Sequence, residues 1–151
     1  MIVVVGSNAE LIMTNMSGVK VIENKGWAEG ISSSIRAGLK CSHELEPAAE
    51  GVMLMVCDQP YLDSSLLRNI VRTQQETCKP IVACDYGGSY GTPALFHKTF
   101  FPQLELLTGD SGAKKIMDNN RKMLELVPFP LGHIDIDNKS DYELLQKYSE
   151  K

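Results

Sequence analysis

Apolar and polar positions fall into short blocks along the chain. Ile2 to Val5 is a β-branched apolar run, the pattern of a buried strand, and Gly6 ends it. Ser7 and Glu10 stand in S-x-x-E spacing, which predicts a capping box and a helix from about Asn8 to Met16. Val19 to Ile22 reads as a second strand, broken by Asn24-Lys25-Gly26. Ile31, Ile35 and Leu39 recur at spacing four and predict a helix over Ser32 to Lys40. Ser42 to Gly51 is polar, contains Pro47 and reads as a surface loop, with room for a frayed helix end before it. Val52 to Val56 is apolar on both faces; such strands belong in the middle of a sheet covered on both sides.

The second half continues the alternation. Asp58-Gln59-Pro60 stops the strand. Asp63 predicts the cap of a helix running to about Thr77, with Leu66, Leu67, Ile70 and Val71 inward. Ile81 to Cys84 reads as a strand, Tyr86 to Thr92 with its three glycines as a turn, and Ala94 to Phe96 as extended chain. Thr99 to Leu107 reads as a helix interrupted by Pro102, Gly109-Asp110-Ser111-Gly112 as a loop, and Ala113 to Asn119 as a helix. Leu124 to Val127 and Ile134 to Ile136 read as strands, and Ser140 as the cap of a last helix to about Tyr148. Alternating βα units around an apolar central strand predict a three-layer α/β/α sandwich with a mainly parallel sheet. The length of 151 residues predicts one domain over 1–151.

Composition narrows the function classes. The net charge of −4 argues against non-specific nucleic-acid binding, which needs a basic footprint. The longest apolar run, Val52 to Cys57, is far short of a membrane span, and the opening residues lack the basic leader of a signal peptide. Cys41, Cys57, Cys78 and Cys84 form no C-x-x-C pair, so reduced thiols in a cytoplasmic protein are expected. A zinc site would need closer ligand spacing and more histidine than His43, His97 and His133 offer.

Ligands of open α/β sheets bind at the carboxyl ends of the strands, so the residues that follow each strand are the candidates. Asp58 follows Val52–Val56 and could ligate a hard cation such as Mg²⁺, which takes oxygen and few protein ligands; equally it could end the strand by forming a turn. Asp135 and Asp137 would face the same way on a strand and could hold a metal, or could be a solvated strand end. Ser32, Ser33 and Ser34 after Gly30 offer hydroxyls and free N–H groups to an anion or a polar ring edge, or serve as a plain helix cap with Trp27 as a core anchor. The glycine-rich stretch from Asp85 to Pro93 fits a simple hairpin or a flap over a substrate.

Five segments, in this order, resemble the molybdenum cofactor nucleotidyltransferases, especially the cytidylyltransferase branch, within the nucleotide-diphospho-sugar transferase-like fold. They are Trp27-Ala28-Glu29-Gly30-Ile31-Ser32-Ser33-Ser34-Ile35-Arg36-Ala37-Gly38-Leu39, Asp58-Gln59-Pro60, Gly91-Thr92-Pro93-Ala94-Leu95-Phe96, Gly109-Asp110-Ser111-Gly112-Ala113 and Asp135-Ile136-Asp137. The resemblance implies transfer of CMP from CTP, or of another nucleoside monophosphate from its triphosphate, to the terminal phosphate of molybdopterin cofactor, with release of pyrophosphate. It implies Mg²⁺ held by Asp58 and Asp137 as the catalytic carboxylates. Gly30, Ser32 and Ser33 would lie near the base or ribose. Gly91, Thr92 and Pro93 would line the acceptor side, with Asp110 and Lys114 ordering its wall.

The chain departs from the family pattern in places. Cys57 stands where glycine is usual, Thr92 where histidine or asparagine is common, and Asn138-Lys139 where Thr-Pro is usual. The family's glycine-rich A-A-G-x-S-x-R-M-G-x-x-K loop, which binds the triphosphate, has no counterpart here. The expectation is a chain opening at the family's second strand and lacking one βα unit of roughly 30 residues. It would then be weak or inactive alone, and three explanations are open: a truncated gene product, a complementing chain that supplies the unit, or strands that re-pair, as between the two copies of a homodimer. The alternative is a non-catalytic accessory module that binds molybdenum cofactor or a molybdoenzyme partner.

Overall fold

The computed structural model describes residues 1–149. In chain order the elements are β1 (Ile2–Val5), α1 (Ala9–Thr14), β2 (Lys20–Glu23), α2 (Ile31–Leu45), β3 (Gly51–Leu54), α3 (Ser64–Thr77), β4 (Ile81–Asp85), β5 (Tyr90–His97), α4 (Phe101–Glu105), α5 (Lys114–Asn119), β6 (Leu124–Pro128) and α6 (Lys139–Ser149). The chain divides into two compact units, Met1–Val52 with Phe96–Met123, and Met53–Leu95 with Leu124–Lys151.

In the first unit β1 and β2 pair in parallel, from Ile2 opposite Lys20 to Val5 opposite Glu23. α1 between them is shorter than the sequence predicts, and the Ser7/Glu10 box does not form. Asn8 is the N-cap, in left-handed geometry (φ 58°) and without a side-chain cap bond, so the helix starts one residue late for that box. α2 is longer than predicted and runs on into the start of the stretch read as a loop, to Leu45. It ends where Pro47 forces Glu46 out of helical geometry, to φ −142° and ψ 81°. α2 packs against β1, β2 and α4. Gly38 allows the close approach, since a Cβ there would sit 3.2 Å from Val4 Cγ2. Leu39, Cys41, Phe101, Leu104 and Met117 are buried in this unit. Ile31, predicted inward, is 47 % exposed. Pro102 falls in the first turn of α4, where a missing N–H costs nothing, rather than interrupting a helix.

The second unit is built on a sheet of order β3-β5-β4-β6. β4 and β6 are parallel, with Ile81 opposite Leu124 and Asp85 opposite Pro128. The strand covered on both faces is β4, whose Ile81, Val82, Ala83 and Cys84 are all fully buried. β3, predicted central, lies at the edge of this sheet and ends at Leu54. Its apolar residues describe faces that can be covered, and a strand's lateral neighbours are a separate matter. α3 lays Ile70 and Leu66 on Val82, Cys84, Val127 and Phe129. Asp63 caps it as predicted, accepting from the Leu66 N–H at 2.8 Å. Among the described residues no helix is long and apolar enough to cross a membrane.

Two C-terminal expectations are corrected. Ile134–Ile136 is not a strand; residues 134–137 run without regular structure after a turn at 130–133. Asn138, not Ser140, caps α6: its Oδ1 accepts from the N–H groups of Ser140 (2.9 Å) and Asp141 (3.1 Å). Asp141 Oδ2 accepts in return from the N–H groups of Asp137 and Asn138, both at 3.1 Å. This reciprocal cap anchors the backbone of Asp137.

Candidate functional site

In the second unit the loop after β3, the turn after β4 and the segment before α6 line a cavity of about 400 Å³. Its walls include Asp58, Gln59, Tyr86, Thr92, His133 and Asp135. Local chemistry holds each loop. Asp85 Oδ1 accepts from the Gly87 N–H at 2.9 Å, closing the glycine turn. The Tyr86 hydroxyl donates to the Thr92 carbonyl oxygen and accepts from Gln59 Nε2 at 3.1 Å. Gln59 Nε2 also donates to the Gly132 carbonyl at 2.7 Å. Gly132 leaves room for the Tyr86 ring, because a Cβ there would lie 2.6 Å from Tyr86 Cδ1. His133 Nδ1 lies 2.7 Å from the Pro130 carbonyl oxygen.

The carboxylates gather in this unit. The Ile136 N–H donates to the Asp58 carbonyl oxygen at 2.9 Å, which ties residues 134–137 to the D-Q-P segment. Asp58 Oδ1 is buried with no hydrogen-bond partner. Burial, then the carboxylates of Asp58 and Asp137, push the Asp135 carboxyl above its ordinary range, and His133 opposes them. Buried anionic oxygen without a donor is the environment a hard cation relieves. Asp58 could therefore ligate a divalent ion that keeps waters or phosphates as its other ligands, whereas Asp137 is exposed, lies outside the cavity lining and acts on Asp135 through its charge. Among the described residues no set of three or more His, Cys, Asp or Glu is arranged as a metal cage by itself.

Gly91 and Thr92 follow Tyr90 at the start of β5 and are partly buried; Pro93 is buried and follows a cis peptide bond. Thr92 lines the cavity, while Gly91 packs on Tyr86, whose ring carbon Cε2 would stand 3.2 Å from a Cβ there.

The other predicted residues lie in the first unit. Gly30 precedes α2 at φ 114°, and a side chain there would strike the Asp110 carboxylate and come within 2.8 Å of the Gly109 backbone. Asp110 thus stands against Gly30, a juxtaposition no sequence spacing indicates. The Ser32 N–H donates to the Gly109 carbonyl at 3.1 Å, and the Arg36 guanidinium to the Leu107 carbonyl, so α2 holds the 107–112 loop at two points. Arg36 is itself held by Glu29, whose carboxyl it keeps below the ordinary range. The two serines differ. Ser33 Oγ donates to the Gly30 carbonyl (2.8 Å) and accepts from Asn24 Nδ2 (2.7 Å), whereas Ser32 Oγ is buried and unpaired. Trp27 is 49 % exposed and packs over Gly6 rather than anchoring a core. Lys114 opens α5 on the surface.

Sequence reasoning missed Gln59 and Tyr86 as parts of the site. Gln59 stood in the D-Q-P segment and Tyr86 in the glycine turn, but their meeting depends on how the two loops fold.

Comparison with known proteins agrees with this architecture. Residues 1–124 match the MobA-like NTP transferase domain, and the chain belongs to that family. The purine catabolism protein PucB of Bacillus subtilis is 25 % identical over 128 residues, which are 82 % of this chain and 57 % of PucB. The crystal structure of Rv0371c from Mycobacterium tuberculosis matches with a TM-score of 0.77 at 28 % identity, covering 97 % of this chain and 74 % of that one. The manganese complex of Rv0371c matches at 0.74, covering 97 % and 76 % at the same 28 % identity. 4-Diphosphocytidyl-2C-methyl-D-erythritol synthase from Anaerococcus prevotii, 16 % identical, shares the fold at 0.74 over 99 % of this chain and 78 % of its own. The fold is α/β, of the nucleotide-diphospho-sugar transferase type.

Proposed function

We propose that this protein serves nucleotidyl transfer, moving CMP from CTP to the terminal phosphate of molybdopterin cofactor. A phosphate oxygen of the acceptor attacks the α-phosphorus. The bond to the β-phosphate breaks, and pyrophosphate leaves with the electron pair. The observation that carries this reading is the buried, unpaired Oδ1 of Asp58 beside Asp135 in a cavity of a MobA-like domain.

Asp58 and Asp137 would hold Mg²⁺, which supplies positive charge against the α-phosphate and the leaving pyrophosphate. The reciprocal Asn138/Asp141 cap keeps Asp137 in place, and the bond from Ile136 to Asp58 keeps the two carboxylate-bearing segments together. Gly91, Thr92 and Pro93 offer the wall for the acceptor. Gly30, with Ser32 and Ser33, serves the base or ribose, Ser32 through its unpaired hydroxyl. Asp110 and Lys114 would order the acceptor-side wall.

The test is radiolabelled CTP with Mg²⁺ and molybdopterin, reading labelled product and pyrophosphate, together with Mg²⁺-dependent CTP binding. Asp58→Asn should weaken the Mg²⁺-dependent binding on the order of tenfold or more while the melting temperature holds, because an amide ligates a hard cation poorly. Equal metal dependence in the variant, with altered stability, returns Asp58 to a turn residue. Pterin binding with no CMP transfer, even when a relative of the same family turns over in parallel, points to the accessory module.

A further inference from the structure

Gln59 carries a hydrogen-bonding group that the fold leaves unsatisfied. The residue is 7 % exposed and lines the cavity with Tyr86 and Thr92. Both protons of its Nε2 are used, one on the Gly132 carbonyl at 2.7 Å and one on the Tyr86 hydroxyl at 3.1 Å. The Gly132 carbonyl only accepts, so the nitrogen must face it and the amide cannot flip. The Tyr86 hydroxyl gives its proton to the Thr92 carbonyl and can only accept from Gln59. The amide is thereby locked with Oε1 on its other side, where it is buried and meets no donor among the described residues. Proteins seldom leave such an acceptor unpaired, because it has lost water and gained nothing.

We propose that Gln59 Oε1 is a specificity contact for the acceptor substrate, taking a hydrogen bond from a neutral N–H or O–H group of that molecule. The inference rests on the reading of this cavity as the acceptor side. The partners of the amide are the neutral Tyr86 hydroxyl and Gly132 carbonyl. A neutral donor therefore suits Oε1, while a cation is served by the neighbouring carboxylates. The lock gives the contact its selectivity. A substrate with a donor relieves the stranded oxygen, and one without it leaves the oxygen stranded inside the complex. The donor can belong to a nitrogen heterocycle or to a phosphorylated polyol, since each displays N–H or O–H groups.

The experiment uses the full chain without nucleotide. Two probe pairs are titrated: 6-hydroxymethylpterin against its analogue methylated at N3, at both positions of the 2-amino nitrogen and on the hydroxymethyl oxygen, and erythritol 4-phosphate against its form O-methylated at every hydroxyl. One pair should show at least a tenfold preference for the member with a free donor, and that pair identifies the source. Gln59→Met should abolish the preference. In the unmodified protein the Gln59 side-chain amide resonances should shift with the donor probe and not with its blocked partner, a readout that stands even if Gln59→Met fails to fold. Equal binding of both members of each pair, no binding by any probe, or an undiminished preference in Gln59→Met overturns the proposal. A tenfold loss of Mn²⁺ affinity in Gln59→Met also overturns it, by making Oε1 a metal ligand. Selective binding without CMP transfer sinks only the nucleotidyl-transfer reading. CMP transfer without selectivity sinks only the role of Gln59.

Discussion

The Ile136 backbone N–H donates to the Asp58 carbonyl oxygen at 2.9 Å, joining two segments far apart in the chain. Around that bond Asp135 feels the carboxylates of both Asp58 and Asp137. The same crowding that would attract a cation costs stability when none is bound.

Asp135→Asn should therefore move stability and metal affinity in opposite directions. The folded carboxyl titrates above its ordinary value of 3.8, with burial the largest cause. A carboxyl raised in the folded state favours folding most below its unfolded pKa, and that advantage is lost as pH rises through the folded value. The variant should melt slightly higher at pH 7, on the order of 1 °C for so exposed a group, and no higher at pH 3. Thermal scans at the two pH values measure the first effect. Calorimetric Mg²⁺ titration at pH 7 should show the second, as weaker binding. A variant that melts lower at pH 7 contradicts the electrostatic account.

Gly30→Ala should be costly in the first unit. The position has φ 114°, and a Cβ would strike the Asp110 carboxylate and crowd Gly109. A loss of about 2 kcal/mol or more is expected, from backbone strain and displacement of the 109–112 loop together. Urea unfolding gives the number. Gly87→Ala is the control for φ strain alone: its φ is 85°, and no atom stands within 4 Å of the added carbon.

Asp63→Ala removes the N-cap of α3. Its carboxylate accepts from the Leu66 N–H at 2.8 Å. The expected loss is about 1 kcal/mol, read as a lower denaturation midpoint with an unchanged slope. Asp63→Ser should recover most of it.

Thiol reactivity should split two and two. Cys57 and Cys78 are exposed, whereas Cys41 and Cys84 are buried. Burial pushes the Cys84 thiol up to about 12, so it holds almost no thiolate at neutral pH. A disulfide reagent should titrate two thiols quickly in the native protein and four after unfolding. Fast reaction of Cys84 in Cys57→Ser/Cys78→Ser protein would mean that the β4 core opens readily.

Much of the fold was legible in the residue pattern because it depends on neighbours in sequence. Strands β1, β2, β4 and β6 and helix α3 with its Asp63 cap stand close to where periodicity and capping put them. Pro47 held the true end of α2, but the polar residues before it masked the helix. The acidic and serine candidates were visible as residue types after strands. Tertiary structure alone decided the rest. It left β3 at the edge of its sheet, since hydrophobicity reports burial of faces and carries no record of lateral partners. It turned residues 134–137 from a strand into a tethered segment. It separated Ser32 from Ser33 by giving only one of them partners, and it locked the Gln59 amide between Tyr86 and Gly132. Hydrogen bonds between residues tens of positions apart depend on loop placement, and no local pattern of side chains encodes that.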